Sequence, residues 1–75
     1  MLQRLKNLRE DRDISQKRMA EMLHIAQTTY SDYELGKINI PLDTLKKLAI
    51  FFDTSTDYLL DLTDDPRPYP RKAKT

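Results

Sequence analysis

The side chains best equipped to read another molecule lie between positions 16 and 37: Gln16, Gln27, Thr28, Thr29, Ser31, Asp32 and Lys37. A glutamine amide donates and accepts at once, so Gln27 matches the N7 and N6 edge that adenine shows in a DNA major groove. Asp32 can only accept, which suits cytosine N4 and is costly beside a phosphate. The hydroxyls of Thr29 and Ser31 suit phosphate or sugar, and the Lys37 ammonium suits phosphate. All of these residue types are equally at home on a solvated helix or loop, so their position has to decide. Position comes from the run SQKRMAEMLHIAQTTYSDYELG, residues 15–36. Ser15 can cap a helix whose inward face is Met19, Ala20 and Leu23. His24, Ile25 and Ala26 break the period, and a second helix starting at Gln27 turns Tyr30 and Tyr33 inward before ending at Gly36, the sole glycine. Ala20 lets two helices approach closely, and Ile25 plugs the turn beneath them. The spacing predicts two short helices joined by a three-residue turn, with the polar first turn of the second facing outward, as in a helix that enters the major groove. Any helical hairpin has a polar outer face, so this pattern alone leaves groove reading and plain solvation both open.

Further residues extend the pattern. Ser15-Gln16, Met19-Ala20, Leu23, Ile25, Tyr33-Glu34, Gly36-Lys37, Pro41 to Leu45 and Lys47-Leu48-Ala49 fall in the order and spacing of the Cro and lambda-repressor type (XRE-type) DNA-binding domain. Residues 55–60, STDYLL, resemble the start of that family's fifth helix. The resemblance covers about residues 2–62 and implies an all-α, compact five-helix domain, with its helix-turn-helix at about 16–35, that represses or activates transcription at an operator. It implies that Gln16 holds a phosphate, that Gln27 and Thr28 meet base edges, and that Asp32 lies one turn further along the reading face. It also implies a structural ion pair between Arg9 of the first helix and Glu34 at the end of the third, whereas Arg12 is expected in solvent. Two positions depart from the family. His24 stands where glycine is common, and because histidine enters the left-handed region only occasionally, a strained or slightly altered turn is expected. Ala26 stands where a Ser or Thr cap is usual, an omission worth about 1 kcal/mol.

Composition sets limits around this reading. Seventy-five residues suffice for one small domain, a size that buries only about 60% of its unfolded surface. The net charge is +1, and residues 1–62 carry nine Lys or Arg against ten Asp or Glu. Phosphate binding must therefore come from local placement of charge and not from the field of the whole molecule. The absence of cysteine excludes disulfides and thiolate metal sites, and a lone histidine makes a poor metal centre, so neither metal nor cofactor is expected. Ser15, His24 and the carboxylates do not form a nucleophile–base pattern in a chain with room for a pocket, so enzyme activity is not expected. No apolar run reaches membrane length and no signal-peptide pattern precedes the first helix, which predicts a cytoplasmic protein associated with the nucleoid.

The remaining elements are scaffold. A first helix over residues 2–12 has Leu5 and Leu8 on one face. Pro41 fits the first turn of a fourth helix whose core stripe is Leu42, Leu45, Leu48, Ala49 and Phe52. Ser55 caps a fifth, with Tyr58, Leu59 and Leu60 as its apolar content. Ile50 falls opposite the core stripe and, with Phe51 and Leu62, is a candidate patch for a homodimer on a pseudo-palindromic site. The same patch fits the alternative class, a protein-interaction module such as an antitoxin that occupies a toxin and binds DNA secondarily. Residues 63–75 form a second region, a basic tail with proline at 66, 68 and 70. It reads as an extended, solvated, disordered segment or as a basic arm that touches phosphates or a partner.

Overall fold

A computed structural model describes residues 2–70. Five helices follow in order: α1 (Gln3–Asp11), α2 (Gln16–Leu23), α3 (Gln27–Leu35), α4 (Leu42–Phe51) and α5 (Thr56–Leu59). No strand occurs among the described residues. The core is drawn from all five: Leu5, Met19, Ala20, Tyr30, Tyr33, Leu45, Leu48, Ala49, Phe52 and Leu59 are buried together. Leu8, Leu23, Ile25 and Phe51 close its edges as half-buried neighbours.

Local chemistry sets the helix ends. The Ser15 hydroxyl accepts the Arg18 N–H at 3.0 Å, and the Ser55 hydroxyl accepts the Tyr58 N–H at 3.0 Å, each satisfying an orphan donor of a first turn. Ala26 provides no such side-chain bond to α3. Every helix closes on a left-handed residue at or just after its C-cap. Gly36 does so after α3 at φ 74°, His24 after α2 at φ 57°, and Asp13, Asp53 and Asp61 after α1, α4 and α5. The His24 N–H then reaches the Glu21 carbonyl, and the Ile25 N–H reaches the Ala20 carbonyl, which draws Ile25 back under the hairpin.

Three expectations about the scaffold are corrected. Leu42 is 76% exposed and lies outside the core stripe. It is the first residue of α4, where the Cα–Cβ bond tilts toward the N-terminus and carries the side chain past the end of the core. Pro41 is the N-cap of α4 and stands one residue before its first turn. Helix α5 is a single turn of four residues, and Leu60 beyond it is 42% exposed.

Described as far as Pro70, the C-terminal segment is extended and tied back to the domain by polar contacts. The Arg4 guanidinium donates to the Thr63 carbonyl and pairs with Asp61 at 3.1 Å and with Asp64. The Thr54 hydroxyl donates to the Pro66 carbonyl at 2.7 Å, and the Tyr69 hydroxyl donates to Asp57 at 2.7 Å. Residues 71–75, which hold three of the four basic side chains of that tail, lie outside the described residues.

Candidate nucleic-acid interface

The two faces of α3 differ in kind. Tyr30, Tyr33 and Glu34 are buried against the rest of the domain. Gln27 and Thr28 stand exposed at its first turn, while Thr29, Ser31 and Asp32 are half-buried along its flank. Lys37 is exposed just past the helix end, where its N–H bonds the Asp32 carbonyl at 3.0 Å. The polar side chains suited to base edges are thus gathered at the N-terminal end of one helix, and the lysine suited to phosphate stands at the other end.

Glu34 anchors this helix. Its carboxylate accepts two bonds from Arg9, from Nε at 2.7 Å and from Nη2 at 3.2 Å, a bidentate pairing that matches the guanidinium fork. The Arg9 Nη1 donates to the Ile14 carbonyl at 2.7 Å. Glu34 also accepts from Gln16 Nε2 at 3.1 Å, and its own carbonyl accepts the Leu2 N–H at 2.9 Å. One residue thereby joins both ends of α1, the start of α2 and the end of α3. Arg9 is 8% and Glu34 2% exposed, so the pair is a buried one.

Burial by itself would raise the Glu34 carboxyl, but hydrogen bonds, led by those from Arg9, outweigh it and hold the group below its ordinary value. The same bond to Glu34 raises Arg9. Burial, followed by its interaction with the Glu34 carboxylate, pushes the Tyr30 phenol up, so it stays protonated. The Tyr30 hydroxyl interacts electrostatically with that carboxylate but makes no hydrogen bond of good geometry.

Of the residues singled out from sequence, Gln16 is half-buried and shares its amide with Glu34, and Arg9 and Glu34 meet as the resemblance implied. Arg12 is exposed, as expected, but it is not without partners. Its guanidinium lies 5.4 Å from the centre of the Phe51 ring and 5.2 Å from that of Phe52, and Nη1 donates to the Phe51 carbonyl at 2.9 Å. The adjacent aromatic pair and the open carbonyl at the end of α4 attract a cation that would otherwise be hydrated. Adjacent aromatics at 51 and 52 were the available signal. Arg4, over the Tyr58 ring at 4.4 Å, is a second such residue that helical spacing did not reveal. Ile50 is 61% and Leu62 71% exposed, whereas Phe51 is half-buried beneath Arg12. An open apolar cleft of about 320 Å³, lined by Leu2, Ile38, Ile40, Leu45 and Leu60 among others, carries no titratable group. No cluster of potential metal ligands occurs among the described residues, and no helix among them is long and apolar enough to cross a membrane.

An all-helical domain whose second and third helices pack as a hairpin around a three-residue turn, with the polar first turn of the third outward, defines the helix-turn-helix class. The chain belongs to the XRE-type helix-turn-helix family, whose profile matches residues 5–59. It is 44% identical over 66 residues to the uncharacterized HTH-type transcriptional regulator YobD of Bacillus subtilis, covering 88% of this chain and 59% of that protein. It is 42% identical over 59 residues to the HTH-type transcriptional regulator AnsR of the same organism, covering 79% of this chain and 51% of the relative. The HTH-type transcriptional activator BcrR of Enterococcus faecalis is 33% identical over 58 residues, which is 77% of this chain and 28% of that protein. The chain thus spans little more than half the length of YobD and about half that of AnsR. No solved structure matches it significantly.

Proposed function

We propose that this protein is a sequence-specific DNA-binding transcriptional regulator that enters the major groove with the first turn of α3. The observation that carries this reading is the division of α3: Gln27 and Thr28 stand free at its start, while Tyr30, Tyr33 and Glu34 lock its other face to the domain. A reading helix has to be rigidly held and open at one end, since only that end reaches base edges. Membership of the family and the names of the relatives, which are regulators and not enzymes, support the same conclusion. Gln27 and Thr28 are assigned to bases, with Asp32 further along the same face. Gln16, Thr29, Ser31 and Lys37 are assigned to phosphate and sugar. The site of action is the nucleoid of the cytoplasm, where such an operator lies.

Repression is the direction a DNA-binding module supports most simply, because occupying an operator excludes polymerase without any further contact. A single module offers few base contacts, so two copies on half-sites about 34–36 Å apart are the expected arrangement. The exposed Ile50 and Leu62 support a contact between copies.

Selection of bound sequences from a random DNA library tests the reading directly. A recovered pseudo-palindrome with two chains per site by light scattering is expected, and recovery of no motif overturns it. On the recovered operator, Gln27→Ala should cost about 1–3 kcal/mol and relax one base position per half-site, with random DNA barely affected. Gln16→Ala should weaken operator and random DNA alike, and Lys37→Ala should make the salt slope shallower by about one unit.

A further inference from the structure

Gln16 does not act as an isolated surface amide. A carboxylate can only accept, so of the two ends of the Gln16 amide only Nε2 can face Glu34, and the 3.1 Å contact fixes which way the amide lies. Glu34 has no freedom of its own. Two bonds from Arg9 hold its carboxylate, the Leu2 N–H holds its carbonyl, and it is 2% exposed. At that burial it cannot itself touch a DNA strand. Pairing with Arg9 also cancels its charge, so a carboxylate one hydrogen bond away from Gln16 does not present a net negative field to an approaching phosphate. Nε2 carries two N–H groups, and Glu34 occupies one of them.

We propose that Glu34 is a positioning residue for the DNA backbone: it holds the Gln16 amide in one orientation, with the second N–H of Nε2 offered to a phosphate. This rests on the assignment of Gln16 to phosphate made above. A free glutamine side chain has to give up its rotamer freedom when it binds, whereas one already held by a buried carboxylate does not. The buried pair thus serves two ends. It fixes α3 to the scaffold, and it prepares a group on α2 that touches the backbone beside the groove.

The test uses the full chain and a random-sequence DNA duplex, at a temperature where each variant is folded by circular dichroism. Gln16→Ala should weaken binding about fivefold in the native background, the size of one ordinary hydrogen bond. In a Glu34→Leu background, which offers Gln16 no acceptor, the same change should cost less than about twofold, because the amide is no longer held. A purely structural Glu34 would leave the Gln16 effect the same size in both backgrounds, and that result overturns the positioning role while the phosphate contact stands. If Gln16→Ala changes nothing in the native background, the phosphate assignment itself fails and the proposal fails with it. Should Glu34→Leu not fold, ¹⁵N relaxation of the side-chain amides in the unaltered, DNA-free chain decides. The Gln16 amide should be as ordered as the helix backbone and the Gln27 amide mobile; equal mobility of the two overturns the proposal.

Discussion

Helix α1 carries an arginine near each of its ends, and the two are used in opposite ways. Arg9 reaches one buried carboxylate with two well-formed bonds and a third to a carbonyl. Arg4 gathers more partners, Asp61, Asp64 and the Thr63 and Tyr58 carbonyls, but its two carboxylates are 79% and 99% exposed. The number of contacts favours Arg4 and the setting favours Arg9. Water competes for every partner of Arg4 and for almost none of Arg9, so the energetic weight lies with Arg9. Between them, Arg12 shows an intermediate case, an exposed guanidinium over two rings with one carbonyl bond.

The largest effect should come from Arg9→Ala. It leaves the Glu34 charge buried without its main partner and should cost about 3–5 kcal/mol, read as a lower denaturant midpoint. An unchanged midpoint would erase the contrast with Arg4. The pH dependence of stability sharpens the same point. The native Glu34 carboxyl titrates below its ordinary 4.5, so its contribution is complete above that pH and is lost as pH falls through the lower native value. Unfolding by urea between neutrality and acid should show this loss in the native chain. In Arg9→Ala, burial loses its main opposition and the bond from Gln16 remains, so the slope from this group should flatten.

Arg12→Ala should come next, at about 1 kcal/mol, from one net hydrogen bond and an exposed cation–π contact. A loss as large as that of Arg9→Ala would mean that ring stacking, and not burial, governs the comparison. Arg4→Ala should move the midpoint least. Its signature should be local, with faster hydrogen exchange and proteolysis across residues 61–70, and it should shrink as salt screens the exposed pairs. The Asp65 carboxyl, held down to about 2 by side-chain and backbone bonds from Arg67, should rise in Arg67→Ala but stay below its ordinary value, since the backbone N–H of residue 67 remains, as ¹³C titration would show.

The hairpin and its polar outer turn were legible in the sequence because their information is local. Ser15, Ala20, Ile25 and Gly36 each act within a few residues of themselves, through a cap, a close approach, a plug and a left-handed turn. The Arg9 and Glu34 contact was legible only through resemblance, since the residues are 25 positions apart and no periodicity links them. The Gln16 bond to Glu34, the seat of Arg12 on α4 and the Arg4 contacts with residues 61–64 were not legible. Each joins a long side chain to a group brought near only by the packing of other helices. Leu42 failed for the converse reason: its place in the helical period is apolar, but the core ends before the helix does.

The left-handed helix ends also bear on how this sequence can drift. Four of the five are held by residues with a Cβ, Asp13, His24, Asp53 and Asp61. Asp and His are among the few residue types that tolerate that conformation. Glycine at these sites would relax the native turn, but it would enlarge the repertoire of the denatured chain, and the two changes oppose each other. A β-branched residue offers no such exchange, since it strains the native turn without compensation. Divergent copies of this domain should therefore vary freely along their outer helical faces, while these four positions wander only among Asp, Asn, His and Gly.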